Sequence, residues 1–244
     1  MKVSVICVYN DKSCYESELR SSLKNQDIDY EILAIDNREK AFNSAAEALN
    51  YGANRAKGDI LVFSHQDIYL KREKELRLFA EAIEKEPCGV IIGTQGVKEP
   101  SNVYYSNITA GKEYVGSVVK DYEEKMYEVS SVDEGFFGMK KATWDMLKFN
   151  ETLCDNWHLY GVEICLHTRK AGGHVYVWPS QLHHFSMGNI SLGYMRNLKE
   201  LCKYYHKDFK YIWTTCYKVK TNFLYMECLY LAWVLNRFFR RRLY

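Results

Sequence analysis

Apolar residues follow two alternating patterns along the first part of the chain. Short continuous apolar runs at residues 3–9, 30–36, 60–64 and 90–93 predict buried β-strands. Between these runs, apolar residues recur every three or four positions and predict helices over residues 16–25, 41–56 and 73–86. Strands that alternate with helices are typical of an α/β fold, in which a mostly parallel sheet is sandwiched by helices.

The pattern changes after residue 100. Short pieces rich in Tyr and Val, at residues 103–105, 114–119 and 126–132, predict an antiparallel or irregular insertion beside the sheet. A further strand is predicted at residues 175–178, and the pattern over residues 191–244 indicates a helical C-terminal extension.

Composition and charge narrow the range of functions. A chain of 244 residues is long enough for one α/β domain with a small appendage. The formal net charge of +2 gives no indication of nucleic-acid binding. The sequence has no Walker A motif and no glycine in the turn after the first strand, which disfavours P-loop NTPases and dinucleotide-binding dehydrogenases.

The cysteines and the first residues bear on cellular location. The eight cysteines are scattered, without a CxxC pair, and several lie within apolar runs. This distribution is typical of reduced thiols in a cytosolic protein and not of a zinc site. The chain starts with a strand pattern instead of a charged segment followed by an apolar core, so we expect no ordinary signal peptide.

The predicted strand at residues 60–64 leads into His65-Gln66-Asp67. In an open α/β sheet, ligands bind outside the carboxyl ends of the strands. Asp67 is therefore placed where a carboxylate can hold a hard cation together with a diphosphate. The alternative interpretation is an acidic residue in an ordinary turn.

Motifs on both sides of this position resemble one enzyme family. An Asn-x-Gly motif, an Ala-x-Gly-Asp motif and a His-x-Asp motif follow one another at residues 50–52, 56–59 and 65–67. This series resembles the nucleotide-sugar-binding region of family 2 glycosyltransferases, particularly the subgroup in which His replaces the first Asp of Asp-x-Asp. The resemblance covers roughly residues 3–190 and implies the A-type nucleotide-sugar fold.

The resemblance implies a nucleotide-sugar donor and a divalent cofactor, Mg²⁺ or Mn²⁺. Asp67 would hold the metal together with one of His183 and His184, while the other histidine would pack or form a hydrogen bond. Asp36, at the end of the second strand, would accept hydrogen bonds from the base or ribose. The residues implied to contact the nucleotide are Tyr9, Asp36, Asn37, Asn43, Asn50, His65, Gln66 and Asp67.

Two further segments resemble the acceptor side of the same family. Residues 132–141, in which Asp133 and Glu134 precede a glycine and an apolar stretch, resemble the acceptor-side strand. Residues 155–172 resemble the helix whose first acidic residue is the expected general base. Gly161 takes the position of that base here, and glycine has no side chain that accepts a proton.

Other residues must then supply the general base. Glu163 is the first candidate, because its longer side chain near the start of the helix would reach towards the position left by Gly161. Asp155 and His158, in the preceding loop, are the next candidates. The alternative for Glu163 is an acidic residue in the first helical turn that stabilises the helix dipole.

The resemblance implies a metal-dependent, inverting, hexosyltransferase-like enzyme that acts on a saccharide or lipid-linked saccharide in cell-surface polysaccharide synthesis. Residues 1–190 would form the catalytic domain, with a nucleotide-binding half at 1–100 and an acceptor-side half at 101–190, followed by the extension at 191–244. Two alternatives stay open: a non-catalytic nucleotide-sugar-binding protein or complex subunit, and a membrane-surface scaffold.

The apolar run at residues 222–236 contains Glu227, is too short to span a bilayer, and precedes Arg237, Arg240, Arg241 and Arg242. Aromatic residues beside such a cluster are typical of an interfacial helix attracted to anionic lipid. The competing interpretation is a helix packed on the catalytic domain or on the second subunit of a homodimer. The expected location is the cytoplasm, at the inner face of the membrane under the first interpretation.

Overall fold

The computed structural model describes residues 1–101, 103–110, 113–114, 117–118, 125–186 and 190–240. The strands are, in chain order, β1 (Val3–Tyr9), β2 (Tyr30–Asp36), β3 (Ile60–Ser64), β4 (Ile68–Leu70), β5 (Val90–Gly93), β6 (Gln95–Lys98), β7 (Val103–Ser106), β8 (Thr109–Ala110), β9 (Glu113–Tyr114), β10 (Ser117–Val118), β11 (Tyr127–Glu128), β12 (Ser131–Val132), β13 (Phe136–Lys140), β14 (His174–Val177), β15 (Leu182–His184), β16 (Tyr211–Trp213) and β17 (Lys218–Lys220). The helices are α1 (Lys12–Tyr15), α2 (Ser21–Leu23), α3 (Ala45–Ala53), α4 (Glu75–Lys85), α5 (Lys141–Leu147), α6 (Tyr160–Lys170), α7 (Leu192–Tyr205) and α8 (Phe223–Arg240), with a π-helical segment (Glu16–Arg20) between α1 and α2.

A seven-stranded sheet forms the centre of the fold, in the order β11-β14-β5-β13-β3-β1-β2. β1 pairs in parallel with β2 and β3, and β5 pairs in parallel with β14. β13 runs antiparallel between β3 and β5, and β11 runs antiparallel to β14. The predicted α/β class with a mostly parallel sheet is therefore confirmed, with β13 as an internal exception.

Apolar side chains cover both faces of this sheet. One face packs against α3, α5 and α6 and includes the buried Phe63, Phe137 and Trp144. The other packs against α4 and the segment from α1 to α2, with Leu19 and Phe79 in its core. Burial on both faces explains why β1 and β3 are continuous apolar runs and not alternating ones.

The strands predicted at residues 3–9, 30–36, 60–64 and 90–93 are confirmed as β1, β2, β3 and β5. Helix boundaries differ more, because capping side chains decide them. Asp11 accepts a hydrogen bond from the N–H of Cys14 at 3.1 Å, so the first helical segment begins at Lys12, before the predicted start at residue 16. Ser44 caps α3 in the same way, which starts that helix four residues later than predicted, at Ala45.

The insertion predicted after residue 100 forms small sheets beside the main one, in the orders β10-β7-β6-β12 and β4-β15-β8-β9. The predicted short pieces at residues 103–105 and 126–132 are confirmed as strands β7, β11 and β12. The piece predicted at 114–119 lies partly outside the described residues.

The C-terminal segment differs from the predicted all-helical tail, because the antiparallel hairpin β16–β17 separates α7 from α8. Its apolar residues form a third core with the outer face of α6, in which Val162 and Leu166 meet Leu198 and Met226. None of the described helices has the length and apolar character needed to cross a membrane. The predicted Arg241 and Arg242 lie outside the described residues.

Candidate active site

Strand directions bring the polar residues of the sequence motifs to one edge of the sheet. β1, β2 and β3 are parallel, so Tyr9, Asp36 and Ser64 mark the edge where these strands end. β13 is antiparallel to β3, with Phe136 opposite Ser64, so the acidic residues that precede β13 reach the same edge. β15 pairs with β4 and places His184 opposite Ile68, next to Asp67.

A first cavity of about 510 Å³ opens at this edge. It contains side chains from the ends of β1, β2 and β3, together with two cationic residues, Arg38 and Lys40. Its lining residues are Val8, Tyr9, Asn10, Asn37, Arg38, Lys40, Phe42, Asn43, His65, Gln66, Asp67, Trp157 and Ser186. Polar amides and cations in a concave site suit a ligand with hydrogen-bonding groups and negative charge.

Gln66 ties together two walls of the first cavity. Its Oε1 accepts hydrogen bonds from the N–H groups of Asn10 and Asp11, both at 3.0 Å. Its Nε2 donates to Oδ1 of Asn10 at 2.9 Å. The glutamine therefore fixes the loop after β3 against the end of β1.

Asp36 is not among the residues that line the first cavity, but it binds Arg38, which is. The Arg38 guanidinium donates to both carboxylate oxygens of Asp36, the shortest contact being 2.6 Å. These hydrogen bonds hold the pKa of Asp36 well below its usual range. Tyr9, which lines the cavity, stacks on Tyr15 with ring centroids 4.8 Å apart and a hydroxyl directed at Asp36.

The three predicted asparagines have different positions. Asn37 and Asn43 line the first cavity, although Asn37 also fixes the local turn through hydrogen bonds with the backbone of Phe42. Asn50 is buried outside both the first cavity and the second one described below, where its side chain accepts hydrogen bonds from Trp144 and from the N–H of Phe149. The position of Asn50 indicates that it ties α3 to the segment after α5.

Three potential metal ligands converge beside the first cavity. Ligand atoms of His65, Asp67 and His184 all lie within 4.8 Å of one another. Nε2 of His184 is 3.3 Å from Oδ1 of Asp67, yet this buried nitrogen has no hydrogen bond of acceptable geometry among the described residues. A buried imidazole nitrogen without a hydrogen bond, aimed at a carboxylate, fits a divalent metal between the two groups.

Further contacts position this triad. The hydroxyl of Tyr160, in the first turn of α6, lies 3.0 Å from Nε2 of His65. The N–H of Ser186 donates to Asp67 at 3.1 Å.

Burial raises the pKa of Asp67, but His184 and the N–H of Ser186 outweigh burial and lower the pKa overall. Burial lowers the pKa of His184, and the Asp67 carboxylate outweighs it, so the net shift is upward.

The two adjacent histidines point in different directions, as residues of a strand do. His184 joins Asp67, whereas Nδ1 of His183 lies 2.8 Å from the hydroxyl of Thr109. The ring of His183 also packs edge-on against Phe185. His183 therefore lies outside the triad.

A second cavity, of about 540 Å³, adjoins the first and shares His65, Trp157 and Ser186 with it. The triad lies at the boundary, since Asp67 lines the first cavity and His184 the second. The other lining residues are Gln95, Tyr104, Val132, Asp133, Glu134, His158, Leu159, Val162, Ile190, Tyr194, Thr214, Thr215 and Cys216.

Two carboxylates line the second cavity. Asp133 accepts hydrogen bonds from the hydroxyl of Thr215 at 3.1 Å and from the N–H of Gly135 at 3.0 Å. Glu134 accepts from the N–H of Gly161 at 3.2 Å and thereby caps the start of α6. Burial, followed by the charge of Asp133, raises the pKa of Glu134 to about 8, against an opposing effect of backbone N–H groups at the start of α6.

Comparison with known proteins identifies the family. Residues 4–212 match a family described as a glycosyltransferase like family, which is most of the chain. The protein is a member of this glycosyltransferase-like family. The predicted resemblance is thus confirmed at the level of the family. A curated protein of Fuscovulum blasticum, called "ATP synthase subunits region ORF 6", is 26% identical over 190 residues, which cover 73% of this chain and 72% of that protein.

Three solved structures with the same fold contain a nucleotide or a nucleotide sugar. GalNAc-T7 with UDP, GalNAc and Mn²⁺ has a TM-score of 0.58 and 12% identity, over 84% of this chain and 50% of that one. The mannosyltransferase PcManGT of Pyrobaculum calidifontis, with GDP-Man and Mn²⁺, has a TM-score of 0.58 and 14% identity, over 85% and 65%. TarS of S. aureus, with UDP-GlcNAc, has a TM-score of 0.56 and 15% identity, over 83% and 66%. These alignments show the shared fold, and they span about half to two thirds of those longer chains.

The three predicted candidates for the general base of this glycosyltransferase-like protein are dispersed. Glu163 is 1% exposed, lies outside both cavities, and accepts a hydrogen bond from the Tyr205 hydroxyl at 2.8 Å. Asp155 is exposed, also lies outside both cavities, and pairs with Arg196 at 2.9 Å. Only His158 lines the second cavity, where its ring packs edge-on against Tyr194.

Several residues that line the two cavities were not predicted to belong to the site. Arg38, Lys40 and Trp157 line the first cavity, and Tyr194 and Thr215 line the second. Asp133 and Glu134 were recognised only as part of a resembling segment. Arg38 and Lys40, which follow Asn37, could have been identified from the sequence, because they are cationic residues just after a predicted strand. The C-terminal residues could not, because they reach the site through contacts between distant parts of the chain that local patterns do not reveal.

Proposed function

We propose that this glycosyltransferase-like protein transfers a sugar from a nucleotide-sugar donor to a saccharide acceptor, with inversion and with a divalent metal. The observation that carries the proposal is the His65–Asp67–His184 triad at the boundary between two adjoining cavities. A metal held by these residues would be next to both cavities, which suit the donor and the acceptor.

The first cavity suits the nucleotide part of the donor. Tyr9 offers an aromatic wall, Asn43 and Gln66 offer amides, and Arg38 and Lys40 offer positive charge. The three solved structures compared above contain UDP, UDP-GlcNAc and GDP-Man, each of which has a base, a ribose and a diphosphate. Asp36 contributes indirectly, because it holds Arg38 and the hydroxyl of Tyr9.

His65, Asp67 and His184 would hold the metal, and when bound it would neutralise negative charge on the leaving diphosphate. Two imidazoles and one carboxylate favour Mn²⁺ over Mg²⁺, because Mg²⁺ prefers oxygen ligands. Mn²⁺ is also the ion named with GalNAc-T7 and with the mannosyltransferase.

The second cavity suits the acceptor. Trp157 and Tyr194 offer aromatic surface for sugar rings, and the polar groups around them can bind hydroxyls. An inverting transfer needs one group to accept the proton of the attacking hydroxyl. Asp133, Glu134 and His158 line this cavity, so we propose that the base is one of these residues and not Glu163 or Asp155.

The proposal also includes a lipid-linked acceptor in polysaccharide synthesis. The protein would then bind peripherally at the cytoplasmic face of a membrane. Leu224, Leu231 and Leu235 leave an apolar stripe on α8 exposed. A third cavity, of about 660 Å³, shares no lining residue with the other two and contains Lys203, Lys207, Lys210, Lys220 and His206 next to the start of α8. Apolar and basic surfaces side by side support contact with anionic lipid.

Binding and turnover of nucleotide sugars test the proposal. UDP and GDP are titrated into the protein with and without Mn²⁺, and the release of UDP from UDP-GlcNAc and of GDP from GDP-mannose is followed. We expect one nucleotide to bind with Mn²⁺ and to raise the melting temperature, because a ligand that binds only the folded state stabilises it. Binding without any turnover would assign the protein to the non-catalytic alternative, and no binding of either nucleotide would refute the donor site.

A further inference from the structure

Gly161 leaves a space that Glu134 fills. A Cβ atom added to Gly161 would lie 2.8 Å from Cγ of Glu134, closer than carbon atoms pack. Oε1 of Glu134 accepts the hydrogen bond from the N–H of Gly161. The Glu134 side chain therefore lies against the first turn of α6, in the space that a side chain at position 161 would enter.

This geometry accounts for the glycine at the position where the resembling family has its acidic base. Glu134 comes from the segment between β12 and β13 and lines the second cavity together with His65 and His184. We propose that Glu134 is the catalytic base and that its carboxylate replaces, in space, the acidic side chain absent at Gly161. The inference rests on the proposed transfer reaction and names the residue that completes it.

In the proposed step, the Glu134 carboxylate takes the proton of an acceptor hydroxyl in the second cavity. The hydroxyl oxygen forms a bond to the anomeric carbon of the donor, and the bond from that carbon to the diphosphate breaks. The bonding electron pair leaves with the nucleoside diphosphate, and protonated Glu134 returns its proton to solvent. The products are an inverted glycoside and a nucleoside diphosphate.

The surroundings of Glu134 position it for this step. Leu159, just before α6, has a left-handed backbone conformation with φ 68°, which is costly for a branched residue and turns the chain into the helix beside the cavity. Burial raises the pKa of Glu134 to about 8, so its carboxylate is a stronger base than an exposed one. Asp133 differs in that it also accepts a hydrogen bond from a side-chain hydroxyl, that of Thr215, besides the one from the N–H of Gly135.

A purely structural role as the cap of α6 is the competing explanation, and Glu134→Gln separates the two. Glutamine keeps an oxygen that accepts from the N–H of Gly161 but cannot take a proton. We expect an unchanged Kd for UDP or GDP with Mn²⁺ and a loss of kcat of about 10²-fold or more. The melting temperature should be unchanged at pH 4.5 and not lowered at higher pH, because the raised pKa of Glu134 means that folding favours its protonated form. In the wild type, we expect kcat to rise with pH as Glu134 loses its proton, at a pH well above the usual range for Glu. In Glu134→Gln, we expect this rise to be absent.

A positional swap gives a second test. Gly161→Asp alone brings its side chain against Glu134, so we expect it to lower kcat. Glu134→Ala removes the obstructing Cγ, and in the double variant Glu134→Ala with Gly161→Asp we expect at least about tenfold recovery of kcat over Glu134→Ala alone. The donor is whichever of UDP-GlcNAc and GDP-mannose the wild type turns over, with water or an added saccharide as the acceptor.

Asp133→Asn and His158→Gln are the comparison variants. If Glu134→Gln keeps more than a tenth of the wild-type kcat, or if either comparison variant loses more activity than it does, the base is not Glu134. The proposed transfer reaction survives that outcome, since wild-type turnover and metal-dependent donor binding are measured in the same series. A wild type without turnover would overturn both.

Discussion

Asp67 occupies the point where the ends of the parallel strands, the first cavity and the two histidines meet. In the predicted resemblance, His65 aligns with the first Asp of the Asp-x-Asp motif, and as a metal ligand it would offer nitrogen where the motif offers oxygen. Loss of negative charge at position 65 leaves Asp67 as the only carboxylate of the triad. Asp67 therefore supplies the negative charge within the triad, and Asp133 in the second cavity adds a negative charge that acts on both histidines.

Asp67→Ala is expected to abolish the Mn²⁺-dependent part of nucleotide binding and to leave the fold intact, because the carboxylate lies at a cavity edge instead of in the apolar core. Titration calorimetry with UDP and GDP, with and without Mn²⁺, measures the effect. Asp145→Asn, an exposed carboxylate on α5 paired with Lys141, is the control. Wild-type affinity for nucleotide and Mn²⁺ in Asp67→Ala would exclude the metal role.

Asp36→Ala is expected to act independently of the metal. The carboxylate holds Arg38 at 2.6 Å, and without it the guanidinium is free to leave the cavity wall. We expect nucleotide affinity to fall about tenfold, equivalent to about 1.4 kcal/mol, by the same factor with and without Mn²⁺. A metal-dependent loss would instead place Asp36 in the ion site, and no loss would remove it from the donor site.

At the scale of elements, the contact between α6 and α7 contains a buried acid. Glu163 faces Tyr205 across this contact, and its second carboxylate oxygen has no hydrogen bond among the described residues. Burial raises the pKa of Glu163 to about 7. Because the folded state binds the proton more tightly than the unfolded state, the contribution of this group to stability is complete below pH 4.5 and is lost as pH rises through about 7.

Glu163→Gln therefore tests packing and not catalysis. A change in pKa from 4.5 to about 7 corresponds to a free energy on the order of 3 kcal/mol. We expect the variant and the wild type to unfold with similar free energies at pH 4.5, and the variant to be the more stable by a large part of that amount at pH 8. Urea unfolding at the two pH values measures this. A loss of kcat of about 10²-fold with unchanged stability would instead make Glu163 the base.

Elements differ in how far the sequence predicts them. β1, β2, β3 and β5 were predicted with correct boundaries. β1, β3 and β5 are buried and are therefore continuous apolar runs closed by turn residues, whereas the edge strand β2 is apolar in sequence although it is only partly buried. The antiparallel direction of β13 and the hairpin β16–β17 were not predicted, since strand direction and pairing depend on residues far away in the chain. Boundaries of the helices depended on capping by Asp11 and Ser44.

The candidate site, like the fold, was predicted only where it depends on local sequence patterns. The first cavity and Asp67 were predictable, because they depend on the ends of strands that the pattern reveals. The pairing of His184 and not His183 with Asp67 depends on the register of β15 against β4, which local sequence does not determine. The place of Glu134 against Gly161 depends on the reversed direction of β13, so the sequence showed the missing base without showing its replacement.

At the scale of the whole molecule, the C-terminal segment has two roles. Tyr194 and Thr215 help to line the second cavity, so the lining of this cavity extends past the predicted catalytic domain at 1–190. α8 packs on α7 through Met226 and leaves Leu224, Leu231 and Leu235 exposed. One face of α8 therefore packs on α7, as the packing interpretation expects. The other face is exposed and can contact lipid or a second subunit.

Binding to anionic vesicles distinguishes contact of α8 with lipid from contact with a second subunit. Each basic residue near an anionic surface contributes about 1 kcal/mol, so reversing Lys207 and Lys220 to Glu should weaken binding to phosphatidylserine vesicles by at least about tenfold at low salt. Leu231→Glu with Leu235→Glu should weaken it at any salt concentration, because the apolar contact is not screened. Co-sedimentation measures both, with neutral vesicles as the control. A full-length protein that ignores anionic vesicles at low salt, and whose dimer dissociates in the double leucine variant, would assign the exposed face of α8 to a second copy of the chain.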